Sequence, residues 1–238
     1  MKLMKLNCVC ALLLLLPAAM QTARADDAPL PALDLRYDAR WGSVDVGEVH
    51  IGLRPEGAPG CYKYTNVSHP TPLVRMLYGS PDQTSLFCLR DGRIRTLHFA
   101  SELPGDDRQS YTLDFDWDKH TVTDNHGQVR PIPDDAIDSF ALQQAVRQWV
   151  QVHAGDAAPP LAEFTMVDNK NLTHYKFHFA GVAPVDTPAG HFKALLMDRV
   201  DNPDKLGRFW LAPERGYMPV RTETRNGNKP VVTMVLVQ

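Results

Sequence analysis

Three groups of side chains in this sequence have types and spacings that could do chemistry. Asp114, Asp116 and Asp118 stand at alternate positions, the way a calcium loop begins, and neighbouring carboxylates can also divide acid and base roles. A calcium loop needs glycine at its sixth position and a bidentate glutamate at its twelfth, and here those places hold Lys119 and Asn125. The same carboxylates alternate with Leu113, Phe115 and Trp117, so they read as the wet side of a strand. His174, Lys176 and His178 share one face of another strand by the same parity, and two imidazoles could begin a metal site. An ammonium between them would compete with the cation, so this face too reads as solvated, opposite Tyr175 and Phe177. The third group is Cys61 and Cys88. Neither lies in a C-x-x-C motif or beside a group placed to lower a thiol pKa, which argues against redox catalysis. No G-x-S-x-G, S-x-x-K, H-E-x-x-H, G-x-G-x-x-G or P-loop pattern occurs, so the common hydrolase, zinc-protease and nucleotide-binding signatures are missing together. A triad assembled from distant residues would leave no such spacing. No catalytic residue, metal ligand or cofactor is assigned from the sequence.

The first 25 residues bear on compartment. Lys2 and Lys5 precede an apolar run from Cys8 to Pro17, and Ala23-Arg24-Ala25 follows. Charged, apolar and small-residue segments in that order predict a secretory signal peptide cleaved after residue 25. The run falls short of the roughly 20 residues that span a bilayer, so no transmembrane segment is expected once the signal is removed. Cys8 and Cys10 precede the apolar core instead of following it, which argues against lipid attachment. In an oxidising compartment Cys61 and Cys88 are then the candidates for one disulfide, against the alternative of two buried thiols. Beyond residue 25 there are 22 bases against 28 acids, a net charge of −6. A mildly acidic chain without a basic run has no electrostatic footprint for nucleic acid. Asn66-Val67-Ser68 and Asn171-Leu172-Thr173 match the glycosylation pattern, but both read as turn chemistry unless the chain passes through a eukaryotic secretory route.

The remaining residues, 26–238, read as a single β-rich domain. Leu33, Leu35, Tyr37, Ala39 and Trp41 alternate with Asp34, Arg36, Asp38 and Arg40, a period of two that buries one face and wets the other. Val49, Ile51 and Leu53 repeat the pattern after Gly42 and Gly47, and Asp91-Gly92 joins Ser85–Leu89 to Ile94–Phe99 as a hairpin. Later strands are predicted around Tyr111–Trp117, Thr121–Thr123, Phe164–Met166, Thr173–Phe179, Phe192–Val200, Phe209–Leu211, Tyr217–Thr224 and Val231–Val237. Between two proline-rich stretches, Asp138 has the character of an N-cap, and Leu142, Ala145, Val146, Trp149 and His153 recur at steps of three and four until Gly155. The expected fold is mainly β: one large curved antiparallel sheet, half-barrel or barrel-like, of about 11–13 strands. A single amphipathic helix near 138–154 accompanies it. Such a helix either plugs the core or leaves an apolar pocket against the concave face.

Several segments carry a resemblance. Tyr37-x3-Trp41-Gly42, Leu113-Asp114-Phe115-Asp116-Trp117, Thr187-Pro188-Ala189-Gly190-His191-Phe192, and Phe209-Trp210-Leu211-Ala212-Pro213 followed by Tyr217-Met218-Pro219-Val220-Arg221 resemble a bacterial exported family known as domain of unknown function 3108. The resemblance runs from about Leu33 to Gln238. It implies a Gram-negative periplasmic location and a β-rich fold, and it supplies no catalytic residues. A looser similarity, in architecture only, is to half-barrel carriers of the lipoprotein-localisation type.

Aromatic residues on neighbouring strands are the remaining signal. Tyr37, Trp41, Tyr175, Phe177 and Trp210 are candidates to face a ligand, against the stronger reading that aromatics on a pleated, half-buried surface fill a core. The favoured expectation is a non-catalytic periplasmic protein whose partner is an apolar small molecule or lipid, or an envelope protein that it helps to assemble. Two alternatives stand beside it: an envelope enzyme acting on glycan, lipid or peptide through Asp114 or Asp116, and a structural interaction module.

Overall fold

The computed structural model describes residues 29–106 and 109–238. The predicted signal peptide lies outside the described residues. The alternating segment becomes strand β1, Leu33–Trp41, with Leu35, Tyr37 and Ala39 buried and the intervening charges wet. The chain then meanders through β2 (Val44–Pro55), β3 (Cys61–Pro70), β4 (Asp82–Arg90), β5 (Arg93–Glu102), β6 (Tyr111–Asp116), β7 (Thr121–Asp124) and β8 (Val129–Pro131), each paired antiparallel with its predecessor. A short helix, α1 (Pro72–Tyr78), interrupts the β3–β4 connection. After β9 (Ala136–Ile137) and helix α2 (Ser139–His153), a second meander follows: β10 (Ala162–Val167), β11 (Leu172–Thr187), β12 (Gly190–Arg199), β13 (Lys205–Ala212), β14 (Met218–Asn226) and β15 (Val232–Leu236).

Among the described residues all fifteen strands form one sheet in the order β8-β7-β6-β5-β4-β3-β2-β1-β15-β14-β13-β12-β11-β10-β9. The last strand pairs with the first, with Tyr37 opposite Leu236 and Trp41 opposite Val232. This pairing places β1 and β15 mid-sheet and leaves β8 and β9 as its two edges. Those edges are consecutive in the chain, joined by residues 132–135 alone, so the ladder is open while the backbone crosses the gap. The fold is therefore mainly β and barrel-like, as expected, with three differences. Fifteen strands replace 11–13 because β8 and β9, of three and two residues, are too short to show alternation. The β9–β10 pair is parallel, since a strand-helix-strand crossover returns the chain in its original direction. A second helix, α1, has no buried residue; its seven residues are nearly all apolar but too few to establish a helical period in the sequence, although Pro72 at its start and Gly79 past its end fit the usual helix boundaries.

Curvature comes from register shifts at Ala39/Arg40, Leu86/Phe87, Phe179/Gly181 and Trp210/Leu211. Such bulges bend a strand and sharpen its twist. At Gly181 the backbone takes φ +107°, a conformation that side-chain-bearing residues rarely adopt. Gly47 allows a close approach of strands: a Cβ there would sit 2.3 Å from the His69 carbonyl oxygen. The curled sheet encloses α2, which packs on β4, β5 and β10 and so spans the seam between the two meanders.

Candidate functional site

The N-terminus of α2 is fixed from inside the curl. Asp138 accepts hydrogen bonds from the Phe140 and Ala141 amides with one oxygen, and from the Ser85 and Thr96 hydroxyls (2.7 Å each) with the other. Burial raises its carboxyl above the ordinary range, and those four bonds oppose the rise. Phe140 stacks on Tyr64 (4.9 Å between ring centroids) and tilts against Phe99. The Tyr64 hydroxyl donates to Gln143 Oε1 at 2.8 Å, and burial pushes this phenol far up. Farther along the helix, Arg147 donates through Nε to the Gly216 carbonyl. Helix α2 thus plugs the half of the barrel formed by β3–β5.

On its other side α2 does not fill the space. A cavity of about 510 Å³ remains between Ser139, Leu142, Gln143 and Val146 of the helix and the concave face of β10–β15. Its walls include Trp41, Met166, Tyr175, Phe177, Phe209 and Leu211, and its mouth lies where Asn226, Lys229 and Pro230 of the β14–β15 turn are exposed. Both sequence alternatives for the helix are realised, one on each face. The wall is built of touching rings: Phe177 contacts Tyr175 (6.1 Å), Phe164 (6.2 Å) and, edge-on, Phe209 (5.8 Å). Arg199 closes one side, its guanidinium 3.9 Å over the Tyr175 ring while it donates to both Asp201 carboxylate oxygens at 2.7 and 2.6 Å. Near the mouth the Tyr78 ring of α1 meets Trp41 edge-on at 6.3 Å.

Of the five aromatics that are candidates to face a ligand, Trp41, Tyr175 and Phe177 line this cavity. Tyr37 lies behind the wall, 1% exposed, with its hydroxyl donating to the carbonyl of Pro219, itself a lining residue. Trp210 lies under the Arg221 guanidinium at 5.3 Å, while its neighbours Phe209 and Leu211 line the cavity. Met166, Leu142, Val146 and Phe209 were not singled out from the sequence as ligand-facing. Their alternation and helical spacing were readable, but which apolar positions border a void depends on how far the helix stands off the sheet.

The other candidate groups lie elsewhere. Asp114 pairs with His98 at 2.6 Å and Asp116 with Lys119 at 2.5 Å, both outside the cavity lining. His174 Nδ1 lies 3.1 Å from the Thr165 hydroxyl, which donates to Asp135, and Lys176 pairs with Glu163. Among the described residues no three His, Cys, Asp or Glu side chains are grouped to hold a metal, and no helix is long and apolar enough to cross a membrane. Cys61 and Cys88 face each other across β3 and β4 and form a disulfide. A second hollow of about 900 Å³ lies on the other side of α2, between Trp149 and Val152 and the segments holding Leu30, Arg93, Asp134 and Asp135. Its charges are of both signs, which fits a solvated groove better than a ligand chamber.

A curled sheet around a helix, with an apolar chamber on one side, defines a β-barrel-like protein of the kind that can enclose a small molecule. The chain belongs to the family described as Protein of unknown function (DUF3108), whose model matches residues 36–237. Among solved structures it is similar to the beta-barrel-like protein of domain of unknown function DUF1849 from Brucella abortus. That likeness has a TM-score of 0.56 at 11% identity, covers 88% of this chain and 97% of the other, and establishes a shared fold. No curated protein matches the sequence.

Proposed function

We propose that this protein is a non-catalytic carrier that holds an apolar ligand, such as an acyl chain, in the cavity between α2 and strands β10–β15. The observation that carries this reading is the chamber itself: about 510 Å³, within the size range of small-molecule sites, with Trp41, Met166, Phe177 and Phe209 among its walls. Each Å² of apolar ligand surface removed from water there would contribute about 25 cal/mol. The periplasm is the compartment we assign. The signal-like order of residues 1–25 supports it, and so does the disulfide, since such bonds persist in oxidising compartments. The enzyme alternative gains no support from Asp114 and Asp116, which pair with surface partners away from the chamber.

The test is native mass spectrometry of the protein purified without detergent, followed by solvent extraction, with titration of an apolar fluorescent probe alongside. A stoichiometric apolar adduct and saturable probe binding are expected. Val232 is a half-buried wall residue, and Val232→Trp should fill the chamber and weaken probe binding at least about tenfold, while the circular dichroism spectrum stays that of the parent. A ligand-free mass together with probe binding that Val232→Trp leaves untouched would defeat the carrier reading.

A further inference from the structure

The cavity is charged in one sense only. Among the described residues its lining contains no Asp or Glu, yet it includes Arg199, Lys205, Arg225 and Lys229, in a chain where acids outnumber bases, 28 to 25. Arg199 is committed to Asp201 and to the Tyr175 ring. The side chains of Lys205, Arg225 and Lys229 make no hydrogen bond, ion pair or ring contact among the described residues. The local acids that could neutralise them are turned to other uses or lie off the lining: Asp201 binds Arg199, Glu223 binds Arg221, and Asp204 does not line the cavity. The fold brings the three cations to one place. Lys205 begins β13, opposite Asn226 and on the face that carries Phe209, whereas Arg225, opposite Leu206, belongs by register to the other face of the pair and borders the cavity at its edge, where β14 ends. The turn carrying Lys229 is tied to the start of β13 by the Gly227 amide donating to the Asp204 carbonyl at 2.8 Å. Arg225 and Lys229 are exposed and Lys205 is half-buried, so the charges sit at the mouth and the apolar walls lie deeper.

We propose that the ligand is a single-chain amphiphile with an anionic head, its chain in the apolar chamber and its head on Lys205, Arg225 and Lys229. This rests on the carrier reading and extends it to the chemical class of the ligand. An anion left among the deeper apolar walls would lose its hydration without compensation. At the mouth the head keeps water on one side and gains charge-assisted hydrogen bonds on the other. A neutral head of the same size gains neither the charge attraction nor the full strength of those bonds. A cationic head meets three like charges.

The experiment is displacement of a neutral fluorescent probe by palmitate, by hexadecyl phosphate and by hexadecanol, below their aggregation limits. It is run on the parent and on the Lys205→Gln, Arg225→Gln, Lys229→Gln triple variant. In the parent, at least one of the two anions is expected to bind about tenfold or more tightly than the alcohol. Whichever anion is preferred identifies the head as carboxylate or phosphate. Added salt should erode that preference, and the triple variant should bring anion and alcohol within about threefold of each other. None of the three substituted side chains has a partner to lose among the described residues, so the variant's melting curve should overlay that of the parent. Equal binding of anions and alcohol by the parent overturns the anionic head and leaves the carrier standing, as does an anion preference that the triple variant retains. Failure of all three amphiphiles to displace the probe overturns the carrier reading itself.

Discussion

Asp138 shows how much one residue here depends on partners far away in sequence. As a helix cap it needs only the amides of Phe140 and Ala141, but its second oxygen takes the Ser85 and Thr96 hydroxyls from two strands. That carboxylate ties the start of α2 to the wall of the barrel, and four hydrogen bonds make its burial tolerable. Asp201 works differently. Burial alone would raise its carboxyl, but hydrogen bonds from Arg199 and the Lys176 amide, with the guanidinium charge, outweigh this and hold it below the ordinary 3.8. A carboxyl whose pKa is lowered by folding stabilises the fold above its unfolded value and ceases to do so as pH falls through its folded value. Asp201→Asn should therefore cost roughly 1–3 kcal/mol between pH 5 and 8, by leaving Arg199 without its partner. Urea unfolding across pH should show parent and variant converging below about pH 3.8; a gap that persists at low pH would mean that packing, and not charge, sets the effect.

Between the two helices the difference is burial. On α2, Phe140, Ala141, Leu142, Gln144, Val146, Arg147 and Val150 are all buried, which is more than one face. The stripe read from the sequence ran through Trp149 and His153, and these are only half-buried, bordering the outer hollow. A helix enclosed by a curled sheet is contacted from several sides, so its burial does not follow a single stripe. Phe140→Ala should remove the contacts with Tyr64 and Phe99 and cost about 3–5 kcal/mol in urea unfolding. Helix α1 is the reverse case, with Leu73 at 63% and Met76 at 74% exposure. The double variant Leu73→Ser, Met76→Ser should change stability by no more than about 0.5 kcal/mol. A larger loss would show that this helix is packed more closely than its surface suggests.

At the scale of the molecule, the disulfide and the sheet solve related problems. The bond joins strands already paired, 27 residues apart in sequence, so its effect falls mainly on the unfolded chain. On the chain-entropy model it contributes about 3–4 kcal/mol. The Cys61→Ser, Cys88→Ser variant should accordingly melt on the order of 10 °C lower, with the same circular dichroism spectrum; an unchanged melting temperature would refute that contribution. A sheet of this size must also protect its ends. Here the edge strands are three and two residues long, and β8 ends in Pro131, so little unpaired backbone is offered to another chain.

What the sequence by itself determined was local. Period-two alternation located β1 from Leu33 to Trp41, Asp91-Gly92 located a hairpin, Asp138 marked the start of α2, and two cysteines outside the N-terminal segment left one possible internal bridge. Each of these is a preference of a few neighbouring residues, and so it is written in their order. Tertiary structure alone decided that β15 pairs with β1, that α2 lies inside the curl, and that Lys205, Arg225 and Lys229 meet at the mouth of one apolar chamber. An alternating strand presents the same pattern to any partner. Partner choice, and with it the chamber, is set by closure of the whole sheet around the helix.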